Sequence, residues 1–231
     1  MVRTTVNEAK KILPKERERE ALLVPNPRIP RLYGLMKLHK VDMPIRPVIS
    51  TIASPTYYLA IFLQDWFKAT SQFTPKHAVL GSRDLVNKLQ MEQRKDGRLI
   101  SFDVSGLFPN IPIEPTLEYA RQLLRAVNVH TDLIDDFMKL LKVCLENNLC
   151  LFNGEIFKFP ENVGVPIGSP LGSLMGDLFM DRLENEVLTV DNPLTVDVLY
   201  WFRYVDDILC LWGGGHRCGT QQVLVGHKRS V

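Results

Sequence analysis

Tyr204-Val205-Asp206-Asp207 constrains this chain more than any other stretch, because it sets two adjacent carboxylates between two short apolar arms. The arms are Leu199-Tyr200-Trp201-Phe202 and Ile208-Leu209-Cys210-Leu211-Trp212. Their length and their aromatic and β-branched content read as two strands, with the acidic pair at or beside the turn between them. Ionised groups beside a core must be paired or must hold a metal. Asp is also a common turn residue. On these residues alone a polar turn and a metal site are equally good readings, and the rest of the chain has to separate them.

At 231 residues the chain can bury a substantial core, as one large domain or two interleaved subdomains. Its net charge of +2 is uninformative, but the distribution is not. Residues 1–48 carry eleven lysines and arginines against five acidic residues, whereas 177–207 carry eight acidic residues against Arg182 and Arg203. A basic end and an acidic end suit a protein that grips phosphates in one place and metal ions in another; two solvated faces are the ordinary alternative. The four cysteines form no CxxC pair, and Cys210 sits in an apolar run where a buried thiol is expected. The longest apolar run, Tyr57 to Leu63, is too short to cross a bilayer, so no membrane contact and an intracellular compartment are expected.

Along the chain, residues 7–23 read as one charged helix, and Pro25, Pro27 and Pro30 mark an extended entry. Arg31–Lys40 and Ile45–Thr51 read as a hairpin carrying Lys37, His39, Lys40 and Arg46. Such a hairpin is a good phosphate clamp, since Arg offers a bidentate fork and Lys a mobile point charge. Edge-strand lysines that deter aggregation are the alternative for Lys37. Ser54-Pro55 opens a helix whose stripe is Leu59, Phe62, Leu63, Trp66 and Phe67. A second helix is expected over 82–90, then a short buried strand, Leu99–Val104, containing one carboxylate, Asp103. Helices are expected from about Pro115 and over 131–147, and Asn153-Gly154 marks a hairpin within 149–159. The Gly/Pro-rich loop 164–172 feeds a helix with the stripe Leu171, Leu174, Met175, Leu178, Phe179 and Leu183. Glycines there let backbone approach a ligand closely, or simply make a turn. From Gly213 the tail has no apolar period, and His216, Cys218 and His227 fit no zinc spacing.

A basic hairpin, a strand with one Asp, a Gly/Pro loop with its helix, and a hairpin with two Asp follow one another in this order. Three carboxylates from two elements could hold two divalent metals about 4 Å apart, and magnesium suits such hard oxygen ligands. RLYGLMKLHK with PIRPVIS, ASPTYYLA, SFDVSGLFPNIPI, GVPIGSPLGSLMGDLFM and WFRYVDDILCLW, in this order and spacing, resemble the reverse transcriptases of Penelope-like retroelements. More broadly they resemble RNA-directed DNA polymerases, including the telomerase catalytic subunit, over roughly residues 25–213.

The resemblance implies an α+β right-hand polymerase with fingers and a partial palm, an antiparallel sheet packed on helices, and no thumb. Its domains would be a charged helical segment at 1–24, fingers at 25–97, palm at 98–112, a helical and hairpin insertion at 113–162, palm at 163–213, and an unstructured tail at 214–231. It implies Asp103, Asp206 and Asp207 as catalytic, metal-binding carboxylates, with the Val104 carbonyl as a further ligand of two Mg²⁺ ions, for which Mn²⁺ could substitute. Lys40, Arg46 and Phe108 would bind the incoming nucleotide, Phe108 excluding a ribose 2′-OH. Lys37, Gly168, Ser169, Pro170 and Tyr204 would contact template and primer. The implied partners are an RNA template, a DNA primer and dNTPs, and the implied compartment is the nucleus. Ile167 and Asp177 depart from the wider pattern, where Gln and Asn are usual. The short stretch after Trp212 reads as a truncated or frame-shifted copy without an endonuclease. A catalytically inactive remnant that binds nucleic acid is therefore a second reading, and a two-metal nuclease or cyclase a third.

Overall fold

The computed structural model describes residues 1–38, 41–92, 96–146, 149–189 and 191–213. In chain order the elements are α1 (Val2–Glu8), α2 (Glu16–Ala21), β1 (Arg31–Met36), β2 (Ile45–Ser50), α3 (Tyr57–Ser71), α4 (Ser82–Met91), β3 (Arg98–Asp103), a 3-10 turn (Phe108–Asn110), α5 (Ile113–Ala126), α6 (Thr131–Glu146), β4 (Leu149–Phe152), β5 (Glu155–Lys158), α7 (Leu171–Val187), β6 (Val198–Tyr204) and β7 (Asp207–Trp212). The chain is α+β and divides into two compact units, Met1–Thr74 with Gly106–Phe179, and Pro75–Ser105 with Met180–Val231.

The first unit holds a four-stranded sheet in the order β2-β1-β4-β5. The expected hairpins β1–β2 and β4–β5 both form. The second turns on Asn153 and Gly154, both at positive φ, as a tight two-residue hairpin requires. A parallel contact, Arg31 opposite Leu151, joins the two hairpins. The core lies among α3, α5, α6 and the start of α7, where Leu59, Leu63, Phe67, Leu124, Phe137, Leu140, Leu141 and Leu174 are completely buried. Phe137 is its centre: its ring stacks on Trp66 at 4.9 Å and on Phe67 at 5.6 Å. Phe137→Ala should lower unfolding free energy by about 3–5 kcal/mol, as emptying a packed aromatic site does. Urea denaturation checks this, and a loss under about 1 kcal/mol would mean the site collapses around the missing ring.

The N-terminal segment corrects one expectation. Instead of one helix over 7–23, α1 and α2 are separated by a buried turn, with Ala9, Ile12 and Leu13 inside. The reason is long-range. Asp136 on α6 accepts hydrogen bonds from the Lys11 and Ile12 amides at 2.8 and 3.3 Å, which caps the turn. Pro14 has no amide to continue a helix ladder.

The second unit holds an antiparallel sheet in the order β3-β7-β6. Register partners share a face. One face, with Phe102, Trp201, Arg203, Ile208 and Cys210, is turned inward. The other carries Leu99, Ser101, Asp103, Tyr204 and Asp207 and is open. The expected buried strand at 99–104 is thus half wrong: β3 is an edge strand, and Leu99 is 65% exposed. Burial raises the pKa of the Cys144, Cys150 and Cys210 thiols, so all three are poor nucleophiles. No helix among the described residues is long and apolar enough to cross a membrane.

Candidate active site

Asp103, Asp206 and Asp207 lie at neighbouring strand ends in the second unit. β6 and β7 are joined by only two residues, Val205 and Asp206, and Tyr204 closes the hairpin opposite Asp207. Asp207 also stands opposite Asp103, the last residue of β3. Asp103 and Asp207 are exposed and Asp206 is half-buried. The turn is tied to β3's end by the Val104 amide, which donates to the Asp206 carbonyl at 2.9 Å. Sequence pattern found both segments; their pairing in register is a tertiary fact.

Carboxylates on neighbouring strands repel. Among the described residues no Lys, Arg or His forms an ion pair with Asp103, Asp206 or Asp207. No three His, Cys, Asp or Glu side chains among the described residues converge closely enough to hold a metal ion. The donor chemistry nonetheless fits one: three carboxylates, none paired with a cation among the described residues, are hard oxygen ligands of the kind Mg²⁺ and Mn²⁺ take.

The turn itself is strained. Val205 has φ +56°, a left-handed conformation that a β-branched residue adopts only at a cost. Such positions cost on the order of 1–3 kcal/mol and persist only where the surroundings impose them. Here the surroundings are a buried polar network that sequence reading missed. Arg203 and Glu184 are each 1% exposed and form an ion pair at 2.8 Å, Nε to Oε1. Trp201 Nε1 donates to the same oxygen at 3.0 Å. Arg203 Nη1 donates to the Val205 carbonyl at 3.3 Å. A signal was there: Glu184 continues the buried stripe Leu171, Leu174, Leu178, Asp181 of α7, where an apolar residue belongs.

A second group gathers in the first unit. β2 is an edge strand, and its free edge is covered by the Gly/Pro loop: the Ile49 amide donates to the Ile167 carbonyl at 2.7 Å, and Thr51 Oγ1 to the Gly168 carbonyl at 3.2 Å. Gly168 sits at φ +107°, where a Cβ would fall 2.5 Å from the Ile49 carbonyl oxygen. Ser169 Oγ accepts from the Leu171 amide at 3.3 Å, beside Pro170 at the entry to α7. The Phe108 carbonyl accepts from the Val165 amide at 2.8 Å, and the Phe108 ring lies over Gly172 and Gly176 of α7.

Arg46 is exposed on β2 opposite Leu35, and Lys37 is half-buried where the Lys37 amide closes the hairpin on the Pro44 carbonyl. Lys40, His39 and the tail from residue 214 lie outside the described residues. Ile167 lines a largely apolar cavity of about 200 Å³ with Pro47, Ile49, Pro109, Val165 and Phe159, so an apolar residue suits it.

A family model described as "Reverse transcriptase (RNA-dependent DNA polymerase)" matches residues 39–227. The chain belongs to the reverse transcriptase family. A search of curated proteins found no match. Among solved structures the fold is similar to apo telomerase from Candida tropicalis truncated from its C-terminal domain. That match has a TM-score of 0.61 and 12% identity over 83% of this chain and 45% of the other. It is also similar to telomerase from the same organism in complex with a TWJ fragment of telomeric RNA, with a TM-score of 0.58 and 12% identity over 80% of this chain and 36% of the other. The chain thus spans less than half the length of these telomerase chains, and at such identity the likeness is one of fold. The segment matched by the family model contains Arg46, Phe108, Gly168, Asp103, Asp206 and Asp207; Lys37 lies just before it.

Proposed function

We propose that the chain is the fingers (25–97) and part of the palm (98–112 and 163–213) of an RNA-directed DNA polymerase from a Penelope-like retroelement. It would transfer dNTPs to the 3′-hydroxyl of a DNA primer on an RNA template, in the nucleus. The observation that carries the reading is the register of Asp103 with Asp207, beside Asp206 in a two-residue turn, inside a chain of the reverse transcriptase family. Asp103, Asp206, Asp207 and the Val104 carbonyl would hold two Mg²⁺ ions, which supply Lewis acidity at the α-phosphate and lower the pKa of the attacking hydroxyl.

The chain's own residues do the rest. The carboxylates fix the place where primer and nucleotide meet, so that O3′ bonds to the α-phosphorus as the α-phosphorus bond to the bridging oxygen of pyrophosphate breaks and the hydroxyl proton passes to solvent. Arg46, with Lys40, pairs with the triphosphate, the guanidinium fork matching two phosphate oxygens. Lys37, Tyr204 and the Gly168-Ser169-Pro170 backbone contact template and primer.

Phe108, held by its main chain and backed by α7, presents a rigid ring to the incoming sugar. Phe108→Ala should lower the preference for dNTP over rNTP by about 100-fold, toward the upper range for exclusion by shape in an apolar contact. Single-nucleotide incorporation with each substrate measures this, and an unchanged ratio removes Phe108 from that role. Extension of a DNA primer on RNA with Mg²⁺, beside an Asp206→Ala control, tests the whole reading. Binding of template-primer without any extension would favour the inactive remnant instead.

A further inference from the structure

Behind the acidic turn lies a contact chain that the polymerase reading does not use. Glu184 on α7 holds Arg203 through Nε, and Arg203 reaches the Val205 carbonyl through Nη1. We propose that Glu184 and Arg203 are positioning residues that hold Val205 in its left-handed conformation and so aim Asp206 and Asp207; the inference rests on the polymerase reading of those carboxylates.

The alternative is that the pair serves stability alone. A buried ion pair is a poor device for that, because desolvation offsets much of its attraction and apolar replacements are often neutral. What the pair supplies here is direction. Arg203 is held at its main chain and at Nε: the Arg203 amide donates to the His77 carbonyl at 2.9 Å, the Arg203 carbonyl accepts from the Val79 amide at 2.8 Å, and Nε pairs with Glu184. Trp201, through its indole N–H, fixes Glu184 in turn. The guanidinium therefore offers Nη1 from a fixed point, which a fork can do while still holding a carboxylate and a flexible ammonium cannot. Its target is the carbonyl of the one residue in the turn whose φ is unfavourable. The next carbonyl, that of Asp206, is the one bound by the Val104 amide. The two bonds together hold two consecutive carbonyls of the turn, on the backbone that carries both carboxylates.

The test uses the full 231-residue chain and does not depend on turnover. Arg203→Met with Glu184→Leu removes both charges, so no uncompensated charge stays buried; the Trp201 indole N–H loses its acceptor, so the unfolding midpoint should fall modestly while the transition stays cooperative. Amide exchange at Val104 should rise about 10-fold as the turn loosens locally. The Mn²⁺ dissociation constant by electron paramagnetic resonance should rise about 10-fold, the size of effect seen when groups that orient metal ligands are removed. Adding Val205→Gly, which tolerates positive φ without cost, should recover most of both changes. A merely structural pair would show no such suppression. If the paired variant fails to fold, Arg203→Lys keeps the charge opposite Glu184 but loses the second arm of the fork, and carries the same readouts, with shifts of about threefold.

Unchanged Val104 exchange in a folded variant overturns the positioning role. Wild-type chain that binds no Mn²⁺ sensitive to Asp206→Asn counts against the polymerase reading instead, and Val104 exchange still decides the positioning role in that case.

Discussion

Asp206→Ala or Asp207→Ala should reduce primer extension by about 1,000-fold or more, the several kcal/mol that metal-assisted charge stabilisation supplies. Neither should unfold the chain. Asp207 is exposed, and neither side chain makes an ion pair among the described residues. The bond that ties the turn to β3 uses the Asp206 main-chain oxygen, which alanine keeps. Asp207→Ala should even be mildly stabilising, by up to about 1 kcal/mol, because it removes the like charge directly opposite Asp103. Single-turnover extension and a thermal melt on the same preparation separate the two effects. Lost activity with a wild-type or higher melting temperature is the expected pattern. Undiminished extension by both variants removes the site assignment.

Local pattern carried part of this site and not the rest. The hairpins were legible because their turn chemistry is local: Asn153-Gly154 names its own turn, and the apolar arms around Tyr204–Asp207 name theirs. The α3 stripe was legible because its period is that of a helix, and Leu59, Leu63 and Phe67 are indeed inside. Failures came where a distant residue decides. Asp136, 125 residues from Lys11, breaks the helix read over 7–23. Leu99-Ile100-Ser101-Phe102 read as a buried run, yet the sheet leaves one side of β3 open, so alternate residues face outward. Glu184 and Arg203, 19 residues apart, show no shared local pattern at all, and Arg203 entered the sequence argument only as a charge. In the candidate site, the carboxylates were legible as types in two separate places. Their register, the left-handed Val205 and the network behind it belong to tertiary packing.

Gly168→Ala should cost about 2–4 kcal/mol of stability, summing a forbidden backbone conformation and one or two lost hydrogen bonds. At φ +107° the position suits glycine, and the added Cβ would meet the Ile49 carbonyl oxygen at 2.5 Å, the Ile49 carbonyl carbon at 3.3 Å and Val48 Cγ1 at 3.4 Å. The nearest of these atoms are backbone, so no side-chain rotation relieves the clash. The loop must lift from the edge of β2, which weakens the 2.7 Å bond from the Ile49 amide and the 3.2 Å bond from Thr51 Oγ1. Ser169→Ala is the comparison: it loses only the 3.3 Å bond to the Leu171 amide and should cost about 1 kcal/mol, as loss of a helix-entry hydrogen bond does. Urea denaturation orders the two. The dNTP KM then tells whether the junction also serves binding, because β2 carries Arg46 and a shift of its edge would move that guanidinium with it. Wild-type stability in Gly168→Ala would mean the loop can leave β2 freely, and the glycine would then owe its place to a ligand rather than to the strand beside it.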